Sequence, residues 1–475
     1  MSLPIEQLLQ PTLLPEQSWS SILSNIDDLS QYHATQTSSQ EKRLLGQVFT
    51  PLPMARQLIS LITDFSVSKE AYADPGTGTG ILTAALLSRH AYESTTPPTS
   101  ITAFESDVRL HQDWKQNFSD ICYKLGVPSK ECILSSDFYQ EAKALLSTGR
   151  SSSGKKVSKL ITNPPYKKLA ANAPISLLLK EYGIYAPNHY AAFIALSVCW
   201  LEDNGDLLAI IPRSFFNGSY FKRFRQWLSA SMSIEHIVAY KSRSNFGKNV
   251  LQENICLYLK KSEQRPMIRI SYCEHAQASA THDLIIPSDQ VLGDLWRLPA
   301  KPEQLQALKT NTERHHTLST LGIEIKTGAV EVHRAQCKNS LPVHVFYSRD
   351  FDANGTITWG ETKKPRRFAF GRGVYHLPDC GSGFVVIKRI TANDGDKNRI
   401  IPTWVSKKST GLDKISFDNH IQVFCVNDKP IAENAGLSLM KFLQSKEANL
   451  CMSAINGCTQ INREDLNALK YPNIW

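Results

Sequence analysis

With 475 residues, 42% hydrophobic and 20% charged, the chain is too long for one core, and two soluble globular domains are expected. The formal charge of +9 is lopsided: residues 1–200 hold 17 basic and 17 acidic side chains, residues 201–475 hold the other 36 and 27, and 326–410 alone hold 15 and 7. A neutral half and a basic half suit a catalytic domain joined to one that binds a polyanion, although a solvated basic surface remains an ordinary alternative.

Several classes drop out early. The longest apolar helix candidate, Tyr190 to Leu201, has 12 residues and stops at Glu202-Asp203, too short for a bilayer. Glu6 and Glu16 stand where a secretion signal would be basic, so a cytoplasmic protein is expected. Ten cysteines are scattered without CxxC spacing and read as buried reduced thiols, and no metal is implied.

In chain order, residues 1–43 read as a polar helical segment with no chemistry attached. Gly46-Gln47-Val48-Phe49-Thr50-Pro51 precedes the periodic run Met54, Leu58, Ile59, Leu61, Ile62, with Thr50 as N-cap and Pro51 as first helical residue. The free N–H groups of such a helix end can hold a carboxylate, or the helix is simply capped. Ala71 to Gly80 then runs as a strand into Asp74-Pro75-Gly76-Thr77-Gly78-Thr79-Gly80, with a helix from Ile81. This glycine loop lacks the Lys-Ser/Thr of a triphosphate-binding loop but opens a nucleotide-type α/β domain. Glu105 ends the second strand, 31 residues after Asp74, placed to accept ribose hydroxyls. Ser136-Asp137-Phe138 ends the third, with Asp137 facing an adenine amino group and Phe138 its ring. Any one of these acids alone is more often a surface charge; their shared register is the argument.

The fourth strand is Leu160-Ile161-Thr162, ending in Asn163-Pro164-Pro165-Tyr166. Two prolines remove two donors and stiffen the loop, leaving an amide, a free carbonyl and a ring close together. That set grips a planar group with an exocyclic amine: Asn163 and the Pro164 carbonyl accept its protons and Tyr166 stacks on it. A plain Pro-Pro turn is the competing reading. Next come a buried helix at 190–201, a fifth strand at 205–212, and the basic–aromatic stretch from Arg213 to Arg225, which suits phosphate contacts or equally amphipathic packing. Strands follow near 234–240 and 253–260, with Phe246 in the loop between as a second ring wall. Residues 263–316 read as a linker. The basic region after it contains Lys326-Thr327-Gly328, Lys363-Lys364-Pro365-Arg366-Arg367 and Lys388-Arg389, in mixed short strands and turns.

The order of these motifs resembles the gamma class of amino-methyltransferases, the DNA adenine-N6 methylases of restriction–modification systems, and within it the PstI–BsuBI-like group. The resemblance covers roughly residues 40–475. It implies a Rossmann-like class I methyltransferase domain at 44–262 and a basic α+β target-recognition domain at 317–475. By motif it assigns Thr50, Pro51, Asp74, Gly76, Gly78, Gly80, Glu105, Asp137 and Phe138 to S-adenosylmethionine. It assigns Asn163, Pro164, Pro165, Tyr166 and Phe246 to a flipped-out target adenine. Arg213, Lys326, Lys363, Lys364, Arg366, Lys388 and Arg389 are the expected contacts to double-stranded DNA. The chain departs from the family at Asp394-Gly395-Asp396, in a turn that is more regularly basic elsewhere. The cognate restriction endonuclease is expected as a separate chain and this one as a monomer. The alternatives are an RNA or protein-amide methyltransferase, and a DNA-binding protein with an idle methyltransferase domain.

Overall fold

The computed structural model describes residues 16–65, 70–94, 96–242, 253–331, 342–359, 367–369, 373–379, 381–390, 398–457 and 459–475. Phe246, Lys363, Lys364, Arg366 and the Asp394–Asp396 turn lie outside the described residues. The chain divides into two compact units, Met1–Asp294 and Leu295–Trp475.

In the first unit, α1 (Glu16–Gln36), α2 (Ser39–Leu45) and α3 (Leu52–Ile59) lead to β1 (Ala71–Pro75), α4 (Ile81–Glu93), β2 (Ser100–Phe104), α5 (His111–Lys124) and β3 (Cys132–Ser135). Then come α6 (Ala142–Thr148), β4 (Val157–Thr162), α7 (Pro174–Glu181), α8 (His189–Trp200), β5 (Leu201–Pro212), α9 (Lys222–Ser231), β6 (Ser233–Tyr240), β7 (Asn254–Lys260), β8 (Met267–Cys273), β9 (Ala280–Pro287) and α10 (Ser288–Val291). The strands form one sheet in the order β3-β2-β1-β4-β5-β7-β6-β8-β9. The first five are mutually parallel, and β7 is antiparallel to both β5 and β6. This is the doubly wound sheet expected. Its order reverses between β1 and β4, so the loops after those strands share the crevice where such sheets bind ligands.

The strands form because their residues alternate between two covered faces. Tyr72, Ile101, Ala103, Ile161, Leu208 and Ile210 join one core with Met54 and Leu58 of α3 and Leu86 of α4. Lys159 interrupts the apolar β4, yet it is 2% exposed. Its ammonium lies 2.5 Å from Glu70 and 3.4 Å from Asp206, at the strand ends away from the crevice. Burial would raise the Glu70 carboxyl, but hydrogen bonds from His90, Lys159 and Tyr72 outweigh it and hold the group below its ordinary value.

The stretch 263–316 differs from the linker expected. β8 pairs with β6 and β9 with β8, extending the catalytic sheet, and the unit boundary falls at Asp294. Ile268, Ile270 and Ile286 are fully buried there, an alternation that the polar residues between them masked in the sequence.

The second unit holds α11 (Pro302–Thr312), β10 (Glu324–Thr327), β11 (Pro342–Phe346), β12 (Arg367–Ala369), β13 (Tyr375–His376), β14 (Ser382–Lys388), β15 (Pro402–Ser406), α12 (Lys407–Thr410), β16 (Lys414–Phe417), β17 (Ile421–Cys425), β18 (Ile431–Ala432), α13 (Glu433–Gln444), α14 (Lys446–Ile455) and α15 (Arg463–Asn467). Among the described residues these strands make two sheets, β10-β17-β14-β15 with β18 against β14, and β12-β11-β16-β13. β14 is buried on both faces: Val385 and Ile387 pack with Leu308, Leu439 and Met452 of the helices, while Phe384 and Val386 pack with Phe346 and Phe417 of the second sheet. No helix of the described residues is long and apolar enough to cross a membrane.

Candidate active site

The glycine loop after β1 is held from three sides. Asp74, 1% exposed, accepts hydrogen bonds from Thr77 Oγ1 at 2.9 Å and Thr83 Oγ1 at 2.6 Å, which ties the loop to the first turn of α4. Burial pushes its carboxyl up to about 7 against those two hydroxyls. Trp114 of α5 donates from Nε1 to Thr77 Oγ1 at 3.2 Å, and Ser30 of α1 meets Thr79 Oγ1 at 2.5 Å. The three glycines have φ of +80°, +60° and +93°. Gly80 is required by packing as well, because an added Cβ would lie 2.2 Å from the Phe118 ring. At Gly76 and Gly78 the nearest atoms to such a Cβ are 3.6 and 3.8 Å away, so those positions need glycine for backbone shape alone.

A pocket opens over this loop, lined by Phe49 and Thr50, Gly76 to Thr79, Glu105, Asp137 to Tyr139, Asn163 and Phe193. Asp74 does not line it, so this carboxylate braces the loop where a ligand contact was expected. Glu105, 8% exposed, accepts from the Gly78 N–H on Oε2 and the Asp107 N–H on Oε1, both at 2.8 Å. Each oxygen keeps a second lone-pair direction for a hydroxyl donor. Burial raises the Glu105 carboxyl. Asp137 is exposed and caps the short turn after β3, accepting from the Tyr139 N–H at 2.9 Å. Phe138 is held by Phe104, Phe193 and Trp200, with ring centroids 5.1, 5.2 and 6.0 Å away.

Asn163 sits beside the loop because Thr162 Oγ1 donates to the Pro75 carbonyl at 2.6 Å. Its amide has one permitted orientation. The Val48 carbonyl can only accept, so Nδ2 faces it at 2.9 Å and also reaches Thr50 Oγ1 at 2.9 Å. Oδ1 then accepts from the Tyr166 hydroxyl at 2.7 Å, whose one hydrogen also faces the Ile210 carbonyl at 3.0 Å. Burial keeps Tyr166 a phenol, its pKa well above the ordinary value. Pro165 lines the pocket, and Pro164 is buried beside Asn163.

Thr50 differs from its expected role. The N-cap of α3 is Pro51, and the Leu52 N–H is taken by Asp27 Oδ1 of α1 at 2.9 Å. The helix end therefore holds a carboxylate from the chain itself, and Thr50 spends its hydroxyl on Asn163. The N-terminal helix, which carried no chemistry in the sequence, positions both α3 and the glycine loop through Asp27 and Ser30.

The pocket also contains residues the motif reading passed over. Tyr139 and His189 join through a 2.8 Å hydrogen bond, and burial with nearby Lys167 pulls the His189 imidazole down to about 4. His189 and Phe193 are one helical turn apart on α8, and that i, i+4 spacing was the available signal; Phe193 is less buried than its apolar neighbours.

The expected DNA contacts are dispersed. Arg213 is 7% exposed and its guanidinium meets Glu253 Oε1 at 2.5 Å, a buried pair and no surface phosphate contact. Basic–aromatic spacing cannot distinguish the two, since burial is set by β7 alongside. Lys326 lies between Asp428 and Glu324, the latter at 3.4 Å, and these carboxylates raise its pKa. Lys388 is half-buried at the end of β14, and burial lowers its pKa. The Arg389 guanidinium reaches the Asn419 carbonyl and Asn462 Oδ1, both at 3.3 Å.

Comparison with known proteins places this arrangement. Residues 91–246 match the family described as Eco57I restriction-modification methylase. The chain is 30% identical over 455 residues to the Type II methyltransferase M.PstI of Providencia stuartii, covering 90% of this chain and 87% of that protein. It is 28% identical over 453 residues to the Type II methyltransferase M.BsuBI of Bacillus subtilis, covering 91% and 89%. The fold is shared with the type IIG restriction endonuclease BpuSI, at a TM-score of 0.50 and 13% identity, over 96% of this chain and 61% of that one.

Proposed function

This chain belongs to the Type II methyltransferases of restriction–modification systems, and from that membership we propose that it methylates N6 of adenine at one short sequence in double-stranded DNA. The observation that carries the reading is the single orientation of the Asn163 amide, fixed by Val48 and Thr50 beside the glycine loop.

S-adenosylmethionine fits the pocket by donor set: Glu105 has lone pairs left for the ribose, and Asp137 with Phe138 faces the adenine end. When bound it supplies an electrophilic methyl group on a sulfonium. Gly76, Gly78 and Thr50 would hold the methionine end. The chain's own work is on the acceptor. An adenine amine delocalises its lone pair into the ring and is a poor nucleophile. Asn163 Oδ1 and the Pro164 carbonyl accept its two N–H groups, which favours a pyramidal nitrogen with the lone pair free to attack. Both acceptors gain strength as positive charge develops on that nitrogen, and the surplus proton then leaves to solvent. No cysteine nucleophile is needed, because no ring carbon is attacked. Inside a duplex the amine is out of reach, so the base must flip out, and stacking on Tyr166 offsets part of the few kcal/mol of unstacking. The basic second unit supplies phosphate and base contacts. A cognate nuclease acts on the same site as a separate chain, and this chain acts as a monomer.

The test is transfer of labelled methyl from S-adenosylmethionine to unmethylated plasmid, with sequencing of the product and Asn163→Ala in parallel. Label in N6-methyladenine at one recurrent site, lost in the variant, is expected. Label in cytosine, or in RNA and not DNA, overturns the reading.

A further inference from the structure

Two of the free cysteines come together at the edge of the catalytic sheet. Cys122 lies on α5 and is 2% exposed, while Cys132 is the first residue of β3 and is half-buried. They are ten positions apart in sequence, and their sulfurs are 2.7 Å apart. That is closer than two unbonded sulfurs normally pack and only roughly 0.7 Å beyond a disulfide bond. We propose that Cys122 and Cys132 form a thiol pair that closes to an intramolecular disulfide on reaction with a low-molecular-weight disulfide, pinning β3 to α5.

Neither element lines the pocket, but each supports residues that do. Trp114, Phe118 and Cys122 recur every fourth residue along one buried face of α5. Trp114 hydrogen-bonds Thr77, and Phe118 fills the space below Gly80. β3 is the outermost strand on its side of the sheet and runs directly into Asp137 and Phe138. A bridge between Cys122 and Cys132 therefore fastens the edge strand to the helix that supports the glycine loop.

The chemistry balances with glutathione disulfide as oxidant. The Cys132 thiolate, the more accessible sulfur, attacks one glutathione sulfur and releases one glutathione thiolate, leaving a mixed disulfide. The Cys122 thiolate attacks the Cys132 sulfur and releases the second. Two protein thiols are oxidised, one glutathione disulfide is reduced, and the two protons end on the two glutathiones. The Cys122 thiol donating to Cys132 lowers the pKa of the latter, which favours Cys132 as first nucleophile.

The experiment incubates the full chain with oxidised glutathione, alkylates remaining thiols, and maps peptides by mass spectrometry alongside thermal unfolding. The expected result is a peptide linking Cys122 to Cys132 and a Tm higher by roughly a few degrees, both reversed by dithiothreitol. Cys122→Ser is expected to trap glutathione on Cys132 with no link. Cys132→Ser is expected to leave Tm insensitive to the oxidant, which keeps the test decisive where the first variant folds poorly. A glutathione adduct on Cys132 of the wild-type chain with Cys122 still alkylatable overturns the proposal. So does a pair that stays reduced while the denatured chain reacts, or a link that lowers Tm. None of these outcomes depends on the methyl-transfer reading.

Discussion

Replacing Tyr166 with Phe separates two roles that one residue holds. The ring stays for stacking, while the hydroxyl that Asn163 Oδ1 and the Ile210 carbonyl face at 2.7 and 3.0 Å is lost. Asn163 keeps its two Nδ2 partners, Val48 and Thr50, so its amide stays in place and only one anchor goes. A buried hydrogen bond contributes about 1 kcal/mol net, and stranding its acceptors adds about as much again at most, so kcat falls by roughly five- to thirtyfold. Tyr166→Ala loses the ring too and falls further. Tyr166 does not line the cofactor pocket, so KM for S-adenosylmethionine stays within about twofold in both variants, a change worth less than RT. The assay is steady-state methyl transfer on a plasmid substrate, with Tm measured for each variant. Equal kcat for Tyr166→Phe and wild type would refute the hydroxyl as an anchor. Equal losses in Phe and Ala would refute the ring as a stacking platform.

Three further outcomes follow from the geometry. Glu70→Gln leaves the buried Lys159 ammonium without its nearest carboxylate and costs about 3–5 kcal/mol of stability, read as a lower denaturation midpoint; transfer per folded molecule is unchanged, since the pair lies away from the crevice. Asp74 is raised from 3.8 to about 7 on folding, so the folded chain binds an extra proton between those values. The stability this contributes is full below about pH 4 and is lost as pH rises through about 7, on the order of 4 kcal/mol; Asp74→Asn flattens that slope in denaturant titrations at a series of pH values. Gly80→Ala combines a φ of +93° with a Cβ 2.2 Å from Phe118 and abolishes S-adenosylmethionine binding in calorimetry. Phe118→Ala added to it relieves the clash but not the backbone strain, so binding recovers only in part.

Much of the crevice was legible because each piece is local. Three glycines in alternation, an acid at a strand end and Asn-Pro-Pro-Tyr after an apolar run each carry their chemistry within a few residues. Parallel strands then bring all their C-terminal ends to one edge, so Glu105, Asp137 and Asn163 could be grouped before any contact was known. The same logic failed for Asp74, whose residue type was right but whose side chain turns to Thr77 and Thr83 within its own loop. It failed again for Arg213, because a basic residue reads alike whether it faces phosphate or, as here, a buried carboxylate such as Glu253.

The amino-acid sequence by itself determined the family, the parallel part of the sheet and the crevice loops, since hydrophobic period and motif spacing are short-range properties. Only the tertiary structure decided who holds whom. Thr50 meets Asn163 across 113 residues, Asp27 caps α3 from 25 residues away, Lys159 finds Glu70 across 89, and Cys122 finds Cys132 across a helix end. Each of those pairs depends on burial, where an unpartnered polar group is costly and the partner is whichever group the packed elements bring within reach.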